Sequence, residues 1–129
     1  MLASTLGFLI GGALGTAVGS ALFGDEGGVV ALAVAFAVSG AVTGTAQWLV
    51  LRQHLTGAGW WVLASILGFA ILGAVNEADA AVFAVVFVVA GAVVGVAQWL
   101  VLRPHLDRAG GWVLASAVGW AVVAAVVAA

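Results

Sequence analysis

Between Glu26 and Arg52 the chain runs for 25 residues without a charged side chain, and comparable uncharged stretches recur along its length. An apolar run of about 18 or more residues is typical of a helix that crosses a bilayer, because hydrocarbon cannot solvate charge. Hydrophobic residues occupy 66% of the 129 positions and charged residues only 6%. Soluble domains carry about a quarter charged residues. We therefore expect an all-α integral membrane protein.

The scarcity of charged and reactive side chains argues against several classes of function. The net charge is −2 and basic residues form no cluster, so nucleic acid is not an expected partner. The chain has no cysteine and hence neither disulfides nor thiolate metal ligands. Three serines recur in the pattern without a base beside them, which argues against nucleophilic catalysis: Ser4, Ser65 and Ser116. We predict a protein that is not an enzyme and has no cofactor.

An internal repeat organises the sequence. The phrase AQWLVLRQHL at 46–55 returns as AQWLVLRPHL at 97–106, which is 51 positions later. Aligned without a gap, residues 40–70 and 91–121 are identical at 22 of 31 positions. Such self-similarity is typical of an architecture built from stacked units.

A second phrase, Leu-Ala-Ser, begins three segments at Leu2, Leu63 and Leu114. Segments that begin with this phrase are called type A here, and segments that end with Gln-Trp-Leu-Val-Leu-Arg are called type B. Their order along the chain is A-B-A-B-A. This order predicts one transmembrane domain over 1–129, with repeat units at about 1–59 and 60–110 and a final half unit at 111–129.

The segments predict a bundle of five transmembrane helices. Gly24 to Gly28 read as a break after the first helix, and Pro104 should end the fourth because the residue before a proline avoids helical geometry. The third segment is close to the shortest length that crosses the hydrocarbon at 1.5 Å per residue. The predicted spans lie near 2–23, 29–52, 60–76, 80–103 and 111–129.

Charge predicts the orientation of the bundle. All three arginines and both histidines fall in B-to-A connectors, whereas four of the five acidic residues fall in A-to-B connectors. Because arginine in short loops stays in the cytoplasm, the N-terminus is expected inside and the C-terminus outside a prokaryotic inner or plasma membrane, with a parallel repeat. The predicted cytoplasmic interface anchors are Trp48, Arg52, Trp60, Trp61, Trp99, Arg103, Arg108 and Trp112.

Glycine spacing predicts where helices approach closely. The first segment carries a glycine at every fourth position, and each type B segment carries two glycines and then a glutamine on one face. This pattern suits close backbone contact with an interhelical hydrogen bond, either within the chain or between subunits. The predicted helix-packing residues are Gly7, Gly11, Gly15, Gly19, Gly40, Gly44, Gln47, Gly91, Gly95 and Gln98.

Three sharper interpretations remain open. The glutamines and arginines could line a pathway for a polar or anionic solute, as in a small transporter or channel. His54 and His105 could ligate a haem or a pigment, although helix-borne ligands are more usual. Glu77 and Asp79 could bind a cation, or could belong to a solvated turn.

The phrase AQWLVLR followed by WVLAS resembles a group of small multi-span bacterial membrane proteins of uncharacterised activity. The resemblance runs from about residue 40 to residue 121, with the first segment a partial match, and Gly111 departs from the tryptophan pair at Trp60 and Trp61. It implies a membrane location and a repeat, and no activity. We therefore expect a structural or accessory subunit that contacts membrane lipid and other membrane helices, from its own copies or a larger complex.

Overall fold

The computed structural model describes residues 2–75, 79–105, 107 and 109–128, and it contains helices and no strand within these residues. The prediction of an all-α fold is confirmed for this part of the chain. A short 3-10 helix at Gly24–Glu26 follows the first helix. The five α-helices are α1 (Leu2–Phe23), α2 (Gly28–Leu51), α3 (Trp60–Ala74), α4 (Ala80–Leu102) and α5 (Gly111–Ala128).

The two type B helices, α2 and α4, end at the same position of the repeat. In both, the amide of the following arginine donates to the carbonyl of a tryptophan four residues earlier, Arg52 to Trp48 and Arg103 to Trp99, at 2.8 Å. Only α4 is followed by a proline, so Pro104 is not needed to set this end. The third predicted segment is two residues too long, since α3 ends at Ala74.

Within the described part of the chain, three helices are long and apolar enough to cross a membrane. The qualifying segments are Leu6–Phe23 in α1, Gly28–Leu51 in α2 and Ala81–Leu102 in α4. The apolar segment Trp60–Ala74 is shorter, and in α5 the described apolar segment ends at Val122. Length and composition thus support membrane crossing directly for α1, α2 and α4.

Each helix packs against the next one along the chain, and the α3–α4 interface is the smallest of the four. The type A helices also meet through aromatic rings at one repeat position. The ring centroids of Phe8 and Phe69 lie 6.1 Å apart, and those of Phe69 and Trp120 lie 5.6 Å apart. Trp61 and Trp112, another equivalent pair, lie 5.7 Å apart. Aromatic residues at equivalent positions of the repeat are therefore in contact across α1, α3 and α5.

Two groups of buried side chains hold the helices together. Leu72, Phe87 and Ala90 form the first group, which joins α3 to α4. The second group lies beside the B-to-A connectors and includes Trp61 and Leu102. The two groups of buried side chains thus hold different parts of the helices together.

Candidate functional site

Each type B helix is bonded to the following type A helix by a glutamine and a tryptophan. The indole Nε1–H of Trp61 donates to Oε1 of Gln47 at 2.7 Å. The indole of Trp112 donates to Gln98 in the same way at 2.8 Å. The two partners are 14 residues apart in both cases, so the same bond is made in both repeat units.

The two glutamines differ in how many helices they connect. The amide Nε2 of Gln47 also donates to the hydroxyl of Ser4 at 3.0 Å, so this side chain bridges α1, α2 and α3. The tryptophans differ as well: Trp61 is 3% exposed, whereas Trp112 is 42% exposed. The donor indole is therefore buried in the first bond and half-exposed in the second, whereas the acceptor is half-buried at Gln47 and buried at Gln98.

The glycines of α1 lie directly against α2. A methyl group built at Gly7 would approach a backbone carbon of α2 to 2.9 Å, and one at Gly11 would approach a carbonyl oxygen to 2.9 Å. Gly15 and Gly19 are similarly close to α2, whereas Gly12 has no neighbouring atom within 4 Å. This face therefore requires glycine for close helix contact. The contacted residues of α2 are Thr43, Ser39, Ala35 and Ala31.

The glycines of the type B helices face the following type A helix. Gly44 packs against the side chain of Ser65 in α3, and Gly95 packs against Ser116 in α5, each at 2.9 Å from a built methyl group. One turn earlier, Gly40 contacts the backbone of Ser65 and Gly91 contacts the ring of Trp120. The predicted helix-packing residues thus all lie at helix–helix contacts within one chain.

Two of the predicted anchor arginines contact a tryptophan one turn earlier in the chain. The guanidinium of Arg52 lies 5.0 Å from the ring centroid of Trp48, and that of Arg103 lies 5.6 Å from Trp99, so each pair makes a cation–π contact. Trp60 is 69% exposed.

Trp61 differs from the expectation of an interface anchor, because its indole is buried and its N–H is bonded to Gln47. Adjacent residues of a helix point about 100° apart, so only one of the two neighbouring tryptophans can face the bundle. Arg108 lies outside the described residues.

His105 has both ring nitrogens in hydrogen bonds. Nδ1 lies 3.2 Å from the carbonyl oxygen of Val101, which can only accept, so Nδ1 carries the proton. Nε2 therefore accepts from the hydroxyl of Thr56 at 3.3 Å. His54 is exposed, and no cluster of three metal-ligating side chains occurs among the described residues. A haem ligand at His105 would have to displace Thr56.

The remaining polar candidates make local bonds. The hydroxyl of Ser65 donates to the carbonyl of Trp61 at 2.9 Å, within its own helix. The carboxylate of Asp79 accepts from two backbone amides at the start of α4, both at 3.0 Å, and so caps that helix. Glu77 lies outside the described residues.

One contact of the repeat is missing on α5. Gly7 of α1 meets Thr43 of α2, and at the equivalent position Gly68 of α3 meets Val94 of α4. The third equivalent is Gly119, which has no neighbouring atom within 4 Å. Ala115, one turn earlier, is also exposed. The α5 face formed by Ala115 and Gly119 borders a crevice of about 400 Å³ that also contacts Phe8 and Phe69.

Comparison of the chain with protein-family models, with curated proteins and with solved structures finds no match. The contacts within the chain are therefore the basis for a functional proposal.

Proposed function

We propose that this protein is a five-span integral membrane protein that serves as a non-enzymatic structural or accessory subunit of a membrane assembly. Three long apolar helices support the membrane location. The other two helices, α3 and α5, share the type A sequence pattern and pack against these long helices. The apolar side chains exposed on the helices suit contact with lipid, where water would disfavour them.

The observation that carries this proposal is the open face of α5. On α3 the equivalent residues, Ala64 and Gly68, are buried, and Gly68 meets Val94 of α4. On α5 the same two positions, Ala115 and Gly119, are exposed. In stacked repeats each unit is stabilised by the interface with its neighbour, so a face of this kind is typically covered.

The partner proposed for this face is a transmembrane helix, either from a second copy or from another membrane protein. Glycine and alanine let two helix backbones approach, which is the main source of helix affinity in lipid. The residues opposite the two occupied glycines are Thr43 and Val94, so we expect the partner to present a β-branched residue opposite Gly119.

Crosslinking tests the assembly. The natural chain has no cysteine, so an Ala115→Cys variant carries one reactive thiol on the open face. We expect a short thiol crosslinker to give a discrete higher-mass species in source membranes, and a Gly119→Leu change in that variant to abolish it. A Val118→Leu change, beside that face, is the matched control and should leave the product intact. A monomeric Ala115→Cys protein with no crosslinked species would overturn the assembly proposal.

Orientation is tested by the same chemistry. We propose that the B-to-A connectors lie in the cytoplasm, with the N-terminus inside and the C-terminus outside a prokaryotic inner membrane. Single cysteines at Gln53 and Asp107 should then react with a membrane-impermeant maleimide only after the membrane is opened, whereas one at Glu26 should react in intact cells. Labelling of the two connectors from opposite sides would contradict the parallel five-span topology.

The contacts favour a transporter less than an assembly subunit. The carbonyl oxygens of Gln47 and Gln98 are each held by a tryptophan, and the amide of Gln47 is held by Ser4. A solute that used these groups would first have to break helix–helix bonds.

A further inference from the structure

A groove of about 590 Å³ lies between α3 and α4 beside the B-to-A connectors. Its walls are mostly aliphatic, with Leu63 and Leu67 from α3 and Leu100 from α4. These three leucines are 48%, 64% and 47% exposed, so the groove opens sideways to the surroundings of the bundle. Sites for small molecules span about 300 to 1,000 Å³ and are predominantly apolar, and this groove falls within that range.

One end of the groove is polar. Thr56 and His105 line it and are hydrogen bonded to each other, which joins the two B-to-A connectors at that end. Trp60 also lines the groove and is exposed, so its indole N–H is available beside the polar end. A long apolar wall with hydrogen-bonding groups at one end matches an amphiphile.

The groove arises because α3 and α4 pack less extensively than the other neighbouring helices. Along α1 a glycine at every fourth position keeps the helix against α2. On α3 the residue four positions after Gly68 is Leu72, whose side chain occupies space between α3 and α4. In the second repeat unit the position of Trp60 is occupied by Gly111 of α5, so that unit has no indole at this place.

Charge at the polar end favours an anion. Among the described residues of the two connectors, the charged side chains are Arg52, Arg103 and Asp107, a net charge of +1. Arg103 directly precedes Pro104 and His105, which line the groove, and its guanidinium lies over the ring of Trp99. The A-to-B connectors carry only acidic charge, so anionic groups are attracted to one end of the bundle alone.

We propose that this groove binds an anionic phospholipid, with one acyl chain along the leucines and the phosphate beside Thr56 and Trp60, at the end of the groove that Arg103 adjoins. The proposal rests on the membrane location proposed above and is independent of the assembly. Leucines line both helical walls of the groove, whereas the close helix contacts of this chain are made at glycines, so a partner helix could not approach closely here. An acyl chain, which is narrower, fits along its whole length.

Lipid retention tests the proposal. The purified protein in detergent micelles is mixed with phosphatidylglycerol or phosphatidylcholine of identical acyl chains, and bound lipid is counted by native mass spectrometry. One favourable cation near a headgroup changes the affinity about fivefold. We therefore expect about fivefold preference for phosphatidylglycerol, lost in Arg103→Gln and kept in Arg52→Gln, its repeat equivalent.

A pair of substitutions at one repeat position tests the acyl-chain site. Leu63→Trp fills the groove and should reduce bound phosphatidylglycerol at least fivefold. Leu114→Trp changes the same residue type 51 positions later, at a site that is 71% exposed, and should leave binding unchanged. Circular dichroism checks folding. If Leu63→Trp is misfolded, the exposed pair Leu67→Trp and Val118→Trp replaces it.

The outcomes distinguish failure of the lipid-site proposal from failure of the assembly proposal. Equal retention of the two lipids, or equal effects of Leu63→Trp and Leu114→Trp, would overturn the lipid proposal. Retention of a sterol or an isoprenoid in place of phospholipid would overturn it as well. A monomer that binds phosphatidylglycerol with the expected preference would disprove the assembly and support the lipid site. Protein that dissolves without detergent would disprove both.

Discussion

Replacing Gln47 with leucine should destabilise the protein more than the equivalent replacement of Gln98. Gln47→Leu removes the partner of a tryptophan N–H that is almost completely buried, together with the bond to Ser4. A buried donor left without a partner costs about 1 to 3 kcal/mol, and an interhelical hydrogen bond in a membrane protein contributes about 0.6 kcal/mol. The expected loss from these two effects is about 1.6 to 3.6 kcal/mol.

Gln98→Leu removes one bond, and its tryptophan is 42% exposed. The indole of Trp112 can turn to a lipid oxygen or to water, so the expected loss is about 0.6 kcal/mol. Gln98 is 7% exposed whereas Gln47 is half-buried, so leucine gains more from burial at position 98. This gain adds to the difference between the two changes, which is about 1 to 3 kcal/mol from the hydrogen bonds alone.

Reversible unfolding in mixed micelles, followed by circular dichroism as the fraction of dodecyl sulfate rises, measures these free energies. A double-mutant cycle with Trp61→Phe locates the effect, because phenylalanine has no N–H to leave unpaired. In that background Gln47→Leu should cost only about 0.6 kcal/mol, the contribution of the Ser4 bond. Equal costs for the two glutamines, or an undiminished cost beside Trp61→Phe, would refute the reasoning.

Three further predictions concern single contacts. Gly11→Ala should destabilise the protein by about 1 to 3 kcal/mol through its contact with Ser39, while Gly12→Ala, in open space, should cost less than 0.5 kcal/mol in the same assay. Thr43→Val should stabilise the protein by about 1 kcal/mol and so raise its melting temperature, because the Thr43 hydroxyl is buried and unpaired within the described residues. A lower melting temperature would contradict this. Asp79→Ala should cost about 1 kcal/mol and increase amide exchange at the start of α4, whereas unchanged exchange would show that the cap contributes nothing.

The helices and their order could be predicted from the sequence because each is an uncharged run bounded by polar or glycine-rich residues. Their ends were predicted within two residues, with the largest error at α3, where Val75 follows Ala74 before the polar residues Asn76 and Glu77 begin. The glutamines on the glycine faces could also be identified, since a polar amide within an apolar run needs a partner.

The partners of those residues could not be predicted from the sequence. Trp60 and Trp61 are chemically identical neighbours, and only the packing decides that Trp61 is buried against Gln47. Gly68 and Gly119 occupy the same position of the repeat, yet only Gly68 has a neighbouring helix to contact. In both cases the sequence identifies the residue type, whereas the number of surrounding helices determines its environment.

The short separation of the glutamine and tryptophan partners has a consequence for biosynthesis. Contacts between residues close in sequence form quickly, because little chain entropy is lost when the loop closes. Only 14 residues separate Gln47 from Trp61, and Gln98 from Trp112. The glutamine of each type B helix can therefore bond to the indole of the next helix early in folding. With the membrane location proposed above, the amide enters the bilayer already bonded.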